Sequence, residues 1–284
     1  MSKILIDPGP SRKGWHRLQK ALRCPRLFAL SYRTKKAGAG RVPSTPLIKG
    51  SMLHIGIAHH YAILQAKQRG EDPDQYYSPL DAIAELVTRQ PESHRSAWQE
   101  HLSDVQSVML QYQTHWMGEK WDVEAIEKEL KVNVFDEERG KTLFFTQRVD
   151  AVWRDPKDGK WYFVDHKTAA RWSKPKLMKY SMNGQMIGYQ MIGSKMFGDE
   201  WGGVLLNVIE WPKKGGVASF QQTQVEPAPY SVSKFKDTVI QAERMIEMYE
   251  NRDPLDWPGA HHDAACWPYD ACSYYETCQW GSQE

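Results

Sequence analysis

The chain has 284 residues, and 37 Lys and Arg residues against 35 Asp and Glu residues give it a formal net charge of +2. This length, with an apolar content of 41%, fits a folded protein with a sizeable core and excludes the disordered class. No apolar run approaches the roughly 20 residues of a membrane span, so we expect no membrane partner. The first residues lack the apolar stretch of a secretory signal, so we expect a reducing, cytoplasmic environment without disulfides.

The first 121 residues are predicted to be mainly helical. Residues 33–49 are rich in Gly and Pro and predict a loop. On either side of this loop, apolar side chains recur at the spacing of one helical face. The helices predicted from this spacing cover residues 11–32, 50–70, 79–89 and 92–118.

From residue 122 the apolar residues alternate with polar ones, which is typical of half-buried strands. Predicted strands cover residues 126–134, 143–153, 160–167, 203–210 and 218–225, and predicted helices cover 174–196 and 232–249. We therefore expect an α/β protein with one domain over residues 1–284. Its parts would be a helical region (1–121), a core (122–228) and a tail with a helix and three cysteines (229–284).

The predicted hairpin at residues 143–167 brings charged side chains together. If Asp155 and Lys160 close a four-residue loop, Asp150 lies opposite Asp165, with Cβ atoms about 4.5 to 5.5 Å apart. Lys167 follows Asp165 by two residues and returns to the same face. Two carboxylates can bind Mg²⁺, and an ammonium group beside them suits phosphodiester hydrolysis. The same spacing also fits a surface pair with a charged neighbour.

Residues 148–168 resemble the core of the PD-(D/E)XK nuclease superfamily, with Asp150 as the first acid and Asp165-His166-Lys167 as the D-x-K element. Two flanking motifs resemble the RecB-like exonuclease branch of that superfamily. They are a G-x-x-x-H motif ending at His54 and a Q-x-x-x-Y motif from Gln185 to Tyr189. That branch includes the iron-sulfur nucleases of bacterial recombination and of CRISPR adaptation.

The resemblance implies a restriction-endonuclease-like fold, in which helices flank a mixed central sheet, and a site that holds Mg²⁺ or Mn²⁺. The implied metal ligands are His54, Asp150, Asp165 and the backbone carbonyl of His166.

The resemblance also implies roles for three further side chains. Lys167 would act on the attacking water. Gln185 and Tyr189 would position the DNA backbone or the D-x-K strand. Separately, the polar face of the first predicted strand carries Glu129, which is either a further acidic participant or a solvated residue.

The four cysteines form one N-terminal and one C-terminal group: Cys24, then Cys266, Cys272 and Cys278. A thiolate quartet in a reducing compartment indicates zinc or an iron-sulfur cluster. Structural zinc usually uses C-x₂₋₄-C pairs, and gaps of five residues favour a cluster. The arrangement resembles the iron-sulfur staple of the nuclease branch, which holds a [4Fe-4S] cluster, although many relatives have a closer pair among the last three cysteines.

Together with the resemblance, these features predict a metal-dependent DNA nuclease. We expect an exonuclease that acts on linear or single-stranded DNA ends. Its setting would be phage or bacterial recombination or repair, with a possible recombination partner protein. The alternative is a non-catalytic DNA-binding or scaffolding subunit that keeps the fold and the staple. A basic run could contact DNA or be a solvated face; it contains Arg171, Lys174, Lys176 and Lys179, with Lys213 and Lys214 farther on. Trp172, beside this run, is a candidate for stacking on unpaired bases.

Overall fold

The structure is a computed structural model that describes residues 3–6, 9, 11–34, 42–211, 217–267 and 272–281, apart from the side chain of residue 279. Lys213 and Lys214 of the basic run therefore lie outside the described residues. Within the described part of the chain, no helix has both the length and the apolar character needed to cross a membrane.

The described chain alternates helical and strand regions in the predicted order. The first helices are α1 (Trp15–Arg23), α2 (Pro25–Tyr32), α3 (Thr45–Arg69), α4 (Pro79–Thr88), α5 (Glu92–Gln99) and α6 (Leu102–His115). Strands β1 (Asp122–Asp136), β2 (Lys141–Arg154) and β3 (Trp161–Ala169) follow. The remaining elements are α7 (Lys174–Ser181), α8 (Gly184–Phe197), β4 (Trp201–Glu210), β5 (Ser219–Val225), α9 (Pro229–Met248), α10 (Asp263–Cys266) and α11 (Tyr275–Trp280).

The strands form one mixed five-stranded sheet in the order β1-β2-β3-β4-β5. β3 is antiparallel to β2 and parallel to β4, and β5 is antiparallel to β4. The connection between the parallel strands contains α7 and α8, as a parallel pair requires a crossover. This confirms the predicted α/β class, a mixed central sheet flanked by helices.

Three predicted helices are each divided in two. The division between α1 and α2 falls at Cys24, whose backbone is extended with φ of -164°, because the following Pro25 disfavours helical geometry at the preceding residue. The second division falls after Gln99, and the third lies between α7 and α8, where the Asn183 side chain accepts a hydrogen bond from Gln185 N and starts a new helix. Helix α3 begins at Thr45, inside the predicted loop, and ends at Gly70 with a φ of 69°.

The chain divides into two compact units, each built from three segments. Unit 1 contains Met1–Ser11, Val42–Leu130 and Gln147–Val232, and unit 2 contains Arg12–Arg41, Lys131–Thr146 and Ser233–Glu284. The single domain and its predicted parts stay a prediction.

Unit 1 has its core between α3, α4, α6 and one face of the sheet. Side chains from β3 illustrate the two faces, because Val164 belongs to this core while Phe163 packs edge-on against Tyr189 of α8. Since strand side chains alternate, His166 shares the face of Val164, and Asp165 and Lys167 share the face of Phe163. The D-x-K element therefore presents its middle residue to α3 and its charged residues to α8.

Unit 2 has its own apolar and polar contacts. The Phe28 and Trp257 rings stack with centroids 5.6 Å apart, and Trp257 is fully buried. The Arg17 guanidinium lies 2.5 Å from the Glu243 carboxylate, which is itself almost buried. Such a pair tolerates burial because each charge is compensated by the other. These contacts join the N-terminal helices of unit 2 to its C-terminal segment.

Candidate active site

The hairpin of β2 and β3 has the register predicted from the sequence. Asp155 N donates to Lys160 O at 2.9 Å across the turn, and Ala151 lies opposite Val164. Asp150 and Asp165 are the next residues beyond that pair. The predicted loop length is confirmed, and it fixes which acids come together.

Three potential metal ligands lie together around Asp150, away from the turn of the hairpin. His54, Glu127 and Asp150 each offer a ligand atom, and these atoms all lie within 4.8 Å of one another. His54 Nδ1 is 3.6 Å from Asp150 Oδ2, while His54 Nε2 donates a hydrogen bond of 2.6 Å to the carbonyl of His166. Helix α3, β1 and the hairpin therefore bring two carboxylates, an imidazole and a backbone carbonyl together.

The Asp150 carboxylate is buried in this group. Its side chain is 12% exposed, and Oδ2 accepts a hydrogen bond of 2.6 Å from His166 N. Burial raises the pKa of Asp150, and the nearby Asp165 carboxylate raises it further, although His54, Lys167 and the His166 amide oppose this shift. A bound cation would remove the cost of keeping this carboxylate charged.

Lys167 forms an ion pair with the second acid of the hairpin. Its Nζ atom lies 2.5 Å from Asp165 Oδ2, and the Asp165 side chain is only 1% exposed. Burial alone would lower the pKa of Lys167, but the Asp165 and Asp150 carboxylates outweigh it and raise the pKa. The lysine is therefore a fixed ammonium group, two residues beyond Asp165 on the same strand face.

Gln185 and Tyr189 of α8 hold the other oxygen of Asp165. Gln185 Nε2 donates to Asp165 Oδ1 at 2.9 Å and to the Tyr189 hydroxyl at 2.8 Å, and that hydroxyl donates to Arg148 O at 2.6 Å. The four-residue spacing on α8 places both side chains on one helix face. The Q-x-x-x-Y motif thus fixes Asp165 and, through it, the position of Lys167.

The His166 side chain lies in an aromatic layer beneath the site. Its ring is parallel to that of Tyr61, with centroids 5.8 Å apart and an interplanar angle of 9°. Burial, followed by the charges of His54 and Lys167, lowers the pKa of His166 well below its ordinary value, so the ring is neutral. This packing holds the backbone carbonyl that accepts the His54 hydrogen bond.

Tyr61 is itself fixed by a one-directional hydrogen-bond chain inside unit 1. Asn207 Nδ2 donates to the Tyr112 hydroxyl at 2.6 Å, the two tyrosine hydroxyls are 2.9 Å apart, and Tyr61 donates to Glu119 at 2.8 Å. Each hydroxyl in this chain both accepts and donates. The hydroxyl groups of Tyr61 and Tyr112 therefore both have hydrogen-bond partners, while the Tyr61 ring packs against His166.

Glu127 was not singled out from the sequence, which left Glu129 open as either a further acidic participant or a solvated residue. Glu127 has a φ of 47°, a left-handed conformation that is uncommon outside glycine. This conformation interrupts the regular alternation of β1 and brings the carboxylate of Glu127 to His54 and Asp150. The Glu129 carboxylate lies 3.7 Å from the Arg148 guanidinium. An alternation pattern could show that both glutamates lie on a polar face, but not which one reaches the site.

Replacing Glu127 with glutamine is expected to weaken Mn²⁺ binding by at least about 10-fold, since losing even an outer-sphere partner of a metal ligand costs about 10- to 100-fold. Titration calorimetry with MnCl₂ measures this affinity directly. Glu129→Gln is the matched control, because it removes the same charge from the same strand and should bind Mn²⁺ as the wild type does. Equal affinities for all three proteins would exclude Glu127 as a ligand.

The four cysteines line one pocket in unit 2. Cys24, Cys266, Cys272 and Cys278 are all free thiols, and they share the pocket with Leu27 and Ala265. Cys272 N donates to Cys266 O at 2.7 Å, which fixes the spacing of two of them. Burial raises the pKa of the Cys278 thiol, the Arg26 guanidinium lowers it, and the thiols of Cys24 and Cys272 raise it.

The donor atoms near His54 differ in chemical type from those in the cysteine pocket. The carboxylates and carbonyl near His54 suit Mg²⁺ or Mn²⁺, which prefer oxygen, and an imidazole is compatible with Mn²⁺. A group of thiols suits zinc or an iron-sulfur cluster. The residues at each place therefore fit the class of metal expected from the sequence.

Comparison with known proteins identifies the family to which this chain belongs. No curated protein matches the chain significantly. A solved structure, the crystal structure of SSO0001, matches with 17% identity and a TM-score of 0.30, covering 56% of this chain and 69% of that chain. A family model, that of the PD-(D/E)XK nuclease superfamily, matches residues 15–279. The match spans the hairpin acids, Lys167 and the motif on α8, and this chain belongs to the PD-(D/E)XK nuclease superfamily.

Proposed function

We propose that the protein is a Mg²⁺- or Mn²⁺-dependent deoxyribonuclease that degrades linear DNA from its ends. The observation that carries this proposal is the grouping of His54, Glu127 and Asp150 within 4.8 Å, at the end of the hairpin that also holds the Lys167 ammonium group. Family membership supports a metal-dependent nuclease.

In the proposed site, His54, Glu127, Asp150 and the His166 carbonyl hold the divalent cation. When bound, the cation lowers the pKa of a coordinated water and neutralises charge on the phosphate. Asp165, also expected to be a ligand, has Oδ1 held by Gln185 and Oδ2 facing Lys167. This carboxylate is not among the three groups whose ligand atoms lie within 4.8 Å of one another, so we propose that Asp165 would bind the cation from the Lys167 side.

Lys167 acts as a charge in this scheme. Its ammonium group, held beside Asp165, would donate hydrogen bonds either to the attacking water or to a phosphate oxygen. Gln185 and Tyr189 keep the carboxylate beside Lys167 in place, so we assign them a positioning role.

We further propose that the cysteine pocket holds a [4Fe-4S] cluster. The four thiols line one pocket, and the last three cysteines are separated by two gaps of five residues, unlike the C-x₂₋₄-C pairs of structural zinc. This spacing in the sequence favours the cluster over zinc.

The biological setting is part of the same proposal. An end-directed nuclease of this kind would process linear or single-stranded DNA ends in phage or bacterial recombination or repair, in the cytoplasm and with a partner protein.

The test is a cleavage assay on DNA labelled at one end, with linear and circular molecules of the same sequence side by side. We expect the purified protein to degrade the linear DNA with Mg²⁺ or Mn²⁺, to spare the circle and to be inactive with EDTA. Binding of DNA without any cleavage in either metal would overturn the proposal. Cleavage of both forms at similar rates would retain the nuclease and reject its end dependence.

A further inference from the structure

Helix α7 lies, in sequence, between the two elements that carry the hairpin acids and the Q-x-x-x-Y motif. Helix α7 follows β3, which carries Asp165 and Lys167, and precedes α8, which carries Gln185 and Tyr189. Neither the proposed metal ligands nor the Lys167–Asp165 ion pair includes a residue of this helix. We call the following residues the α7 surface: Trp172, Lys174, Met178, Lys179, Tyr180 and Met182.

Two aromatic side chains form the centre of the α7 surface. The rings of Trp172 and Tyr180 have centroids 5.6 Å apart and are inclined by 31°, and both side chains are half-buried. Trp172 N donates a hydrogen bond of 3.0 Å to Glu210 at the end of β4, which fixes the backbone that carries the ring. The pair is therefore an ordered aromatic platform that is still open to solvent.

The platform lies near the end of the strand that carries Lys167 and Asp165, because Trp172 follows the last residue of β3 by only three residues. In agreement with this placement, burial raises the pKa of the Tyr180 phenol, while the charge of Lys167 lowers it and that of Asp165 raises it.

The rest of the α7 surface is cationic and apolar. Lys174 and Lys179 are exposed, and within the described residues neither ammonium group pairs with a carboxylate. Met178 and Met182 are 62% and 63% exposed, and exposed methionines adapt to irregular apolar partners. Aromatic rings beside unpaired lysines are the combination that binds unpaired nucleotides through stacking and phosphate contacts.

We propose that the α7 surface binds an unpaired base of a DNA strand end, by stacking on Trp172 and Tyr180, while Lys174 and Lys179 contact the flanking phosphates. This inference rests on the proposed nuclease function and narrows its substrate to ends with unpaired nucleotides. Bases inside a duplex already stack on their neighbours, so a platform of this kind discriminates against them. The α7 surface would deliver a single strand to the cation and to Lys167.

The test measures binding separately from cleavage, using the full chain with Ca²⁺ in place of the catalytic metal. Fluorescence anisotropy compares a labelled oligothymidine with a blunt hairpin duplex. We expect Trp172→Ala to weaken single-strand binding by about 10-fold, the size of one lost base–aromatic stack, and to leave duplex binding unchanged. Trp172→Phe should keep most of the affinity because it retains an aromatic face.

Trp161→Ala is the matched control. Trp161 is the first residue of β3, and its ring also packs against one aromatic neighbour, Phe197. It should bind the single strand as the wild type does. Wild-type affinity in both Trp172→Ala and Tyr180→Ala, or an equal loss for duplex and single strand, would overturn the inference. Failure of the nuclease proposal would appear separately, as wild-type protein that does not cleave with Mg²⁺ or Mn²⁺.

Discussion

Replacing Lys167 with alanine is expected to lower kcat for DNA cleavage by about 10²- to 10³-fold, the usual cost of removing one preorganised electrostatic partner of the transition state. The reason is the position of the ammonium group, held 2.5 Å from Asp165 Oδ2 on the face of β3 that carries that acid. Mn²⁺ affinity should change little, because a protonated ammonium group is not a metal ligand. Single-turnover cleavage and metal titration of the same preparation measure the two quantities.

The control for this variant is Lys160→Ala. Lys160 closes the turn of the hairpin and directly precedes β3. Its side chain is exposed, and replacing it removes the same charge from the protein. We expect wild-type cleavage from it. A Lys167→Ala protein with the wild-type unfolding midpoint and wild-type kcat would contradict the catalytic role of the lysine.

Replacing Cys24 with serine is expected to reduce iron and sulfide to background levels and to remove the visible absorption of the protein. Cys24 is the buried member of the pocket and stands at the break between α1 and α2. Metal binding free energy becomes folding free energy, so a loss of only ~3–5 kcal/mol would lower the unfolding midpoint by about 10 °C in a chain of this size. Elemental analysis and thermal unfolding check both results.

Asp150→Asn provides the comparison for the cysteine variant. This substitution changes the hairpin site and should keep the iron content of the wild type, which shows that iron loss is specific to the thiol. One zinc per wild-type chain without iron would reject the cluster and assign the pocket to zinc. Iron that survives in Cys24→Ser at the wild-type amount would remove Cys24 from the ligand set.

The hairpin could be predicted from sequence because its geometry is local. A turn closed by Asp155 and Lys160 determines every pair along the ladder, and strand alternation then assigns Asp165 and Lys167 to one face. The strands and their flanking helices could also be predicted, because apolar residues recur with clear periods of two and 3.6 residues in this chain. The resemblance to the superfamily was confirmed by the family model, while the RecB-like branch and the iron-sulfur staple stay predictions.

The features that sequence reasoning missed have two different causes. The break at Cys24 had a visible local signal, the following Pro25, and the apolar spacing of residues 11–32 hid it. The role of Glu127 had no local signal. Its left-handed conformation and its place beside His54 and Asp150 distinguish it from Glu129, which lies near Arg148, and neither feature is visible in the alternation of the strand. For Gln185 the resemblance left two targets open, the DNA backbone and the D-x-K strand, and the structure shows a hydrogen bond to Asp165 of that strand.

The interleaved segments of the two units have a consequence for synthesis on the ribosome. Chains emerge from their N-terminus and domains fold as their residues become available. His54, Glu127, Asp150, Lys167 and Tyr189 all belong to unit 1, whose last segment ends at Val232. Cys24 emerges early, but it belongs to unit 2 and must wait for Cys266, Cys272 and Cys278. All of the named residues of the hairpin site thus precede Cys266, Cys272 and Cys278 in the chain, so they are synthesised before the cysteine pocket has its full set of thiols.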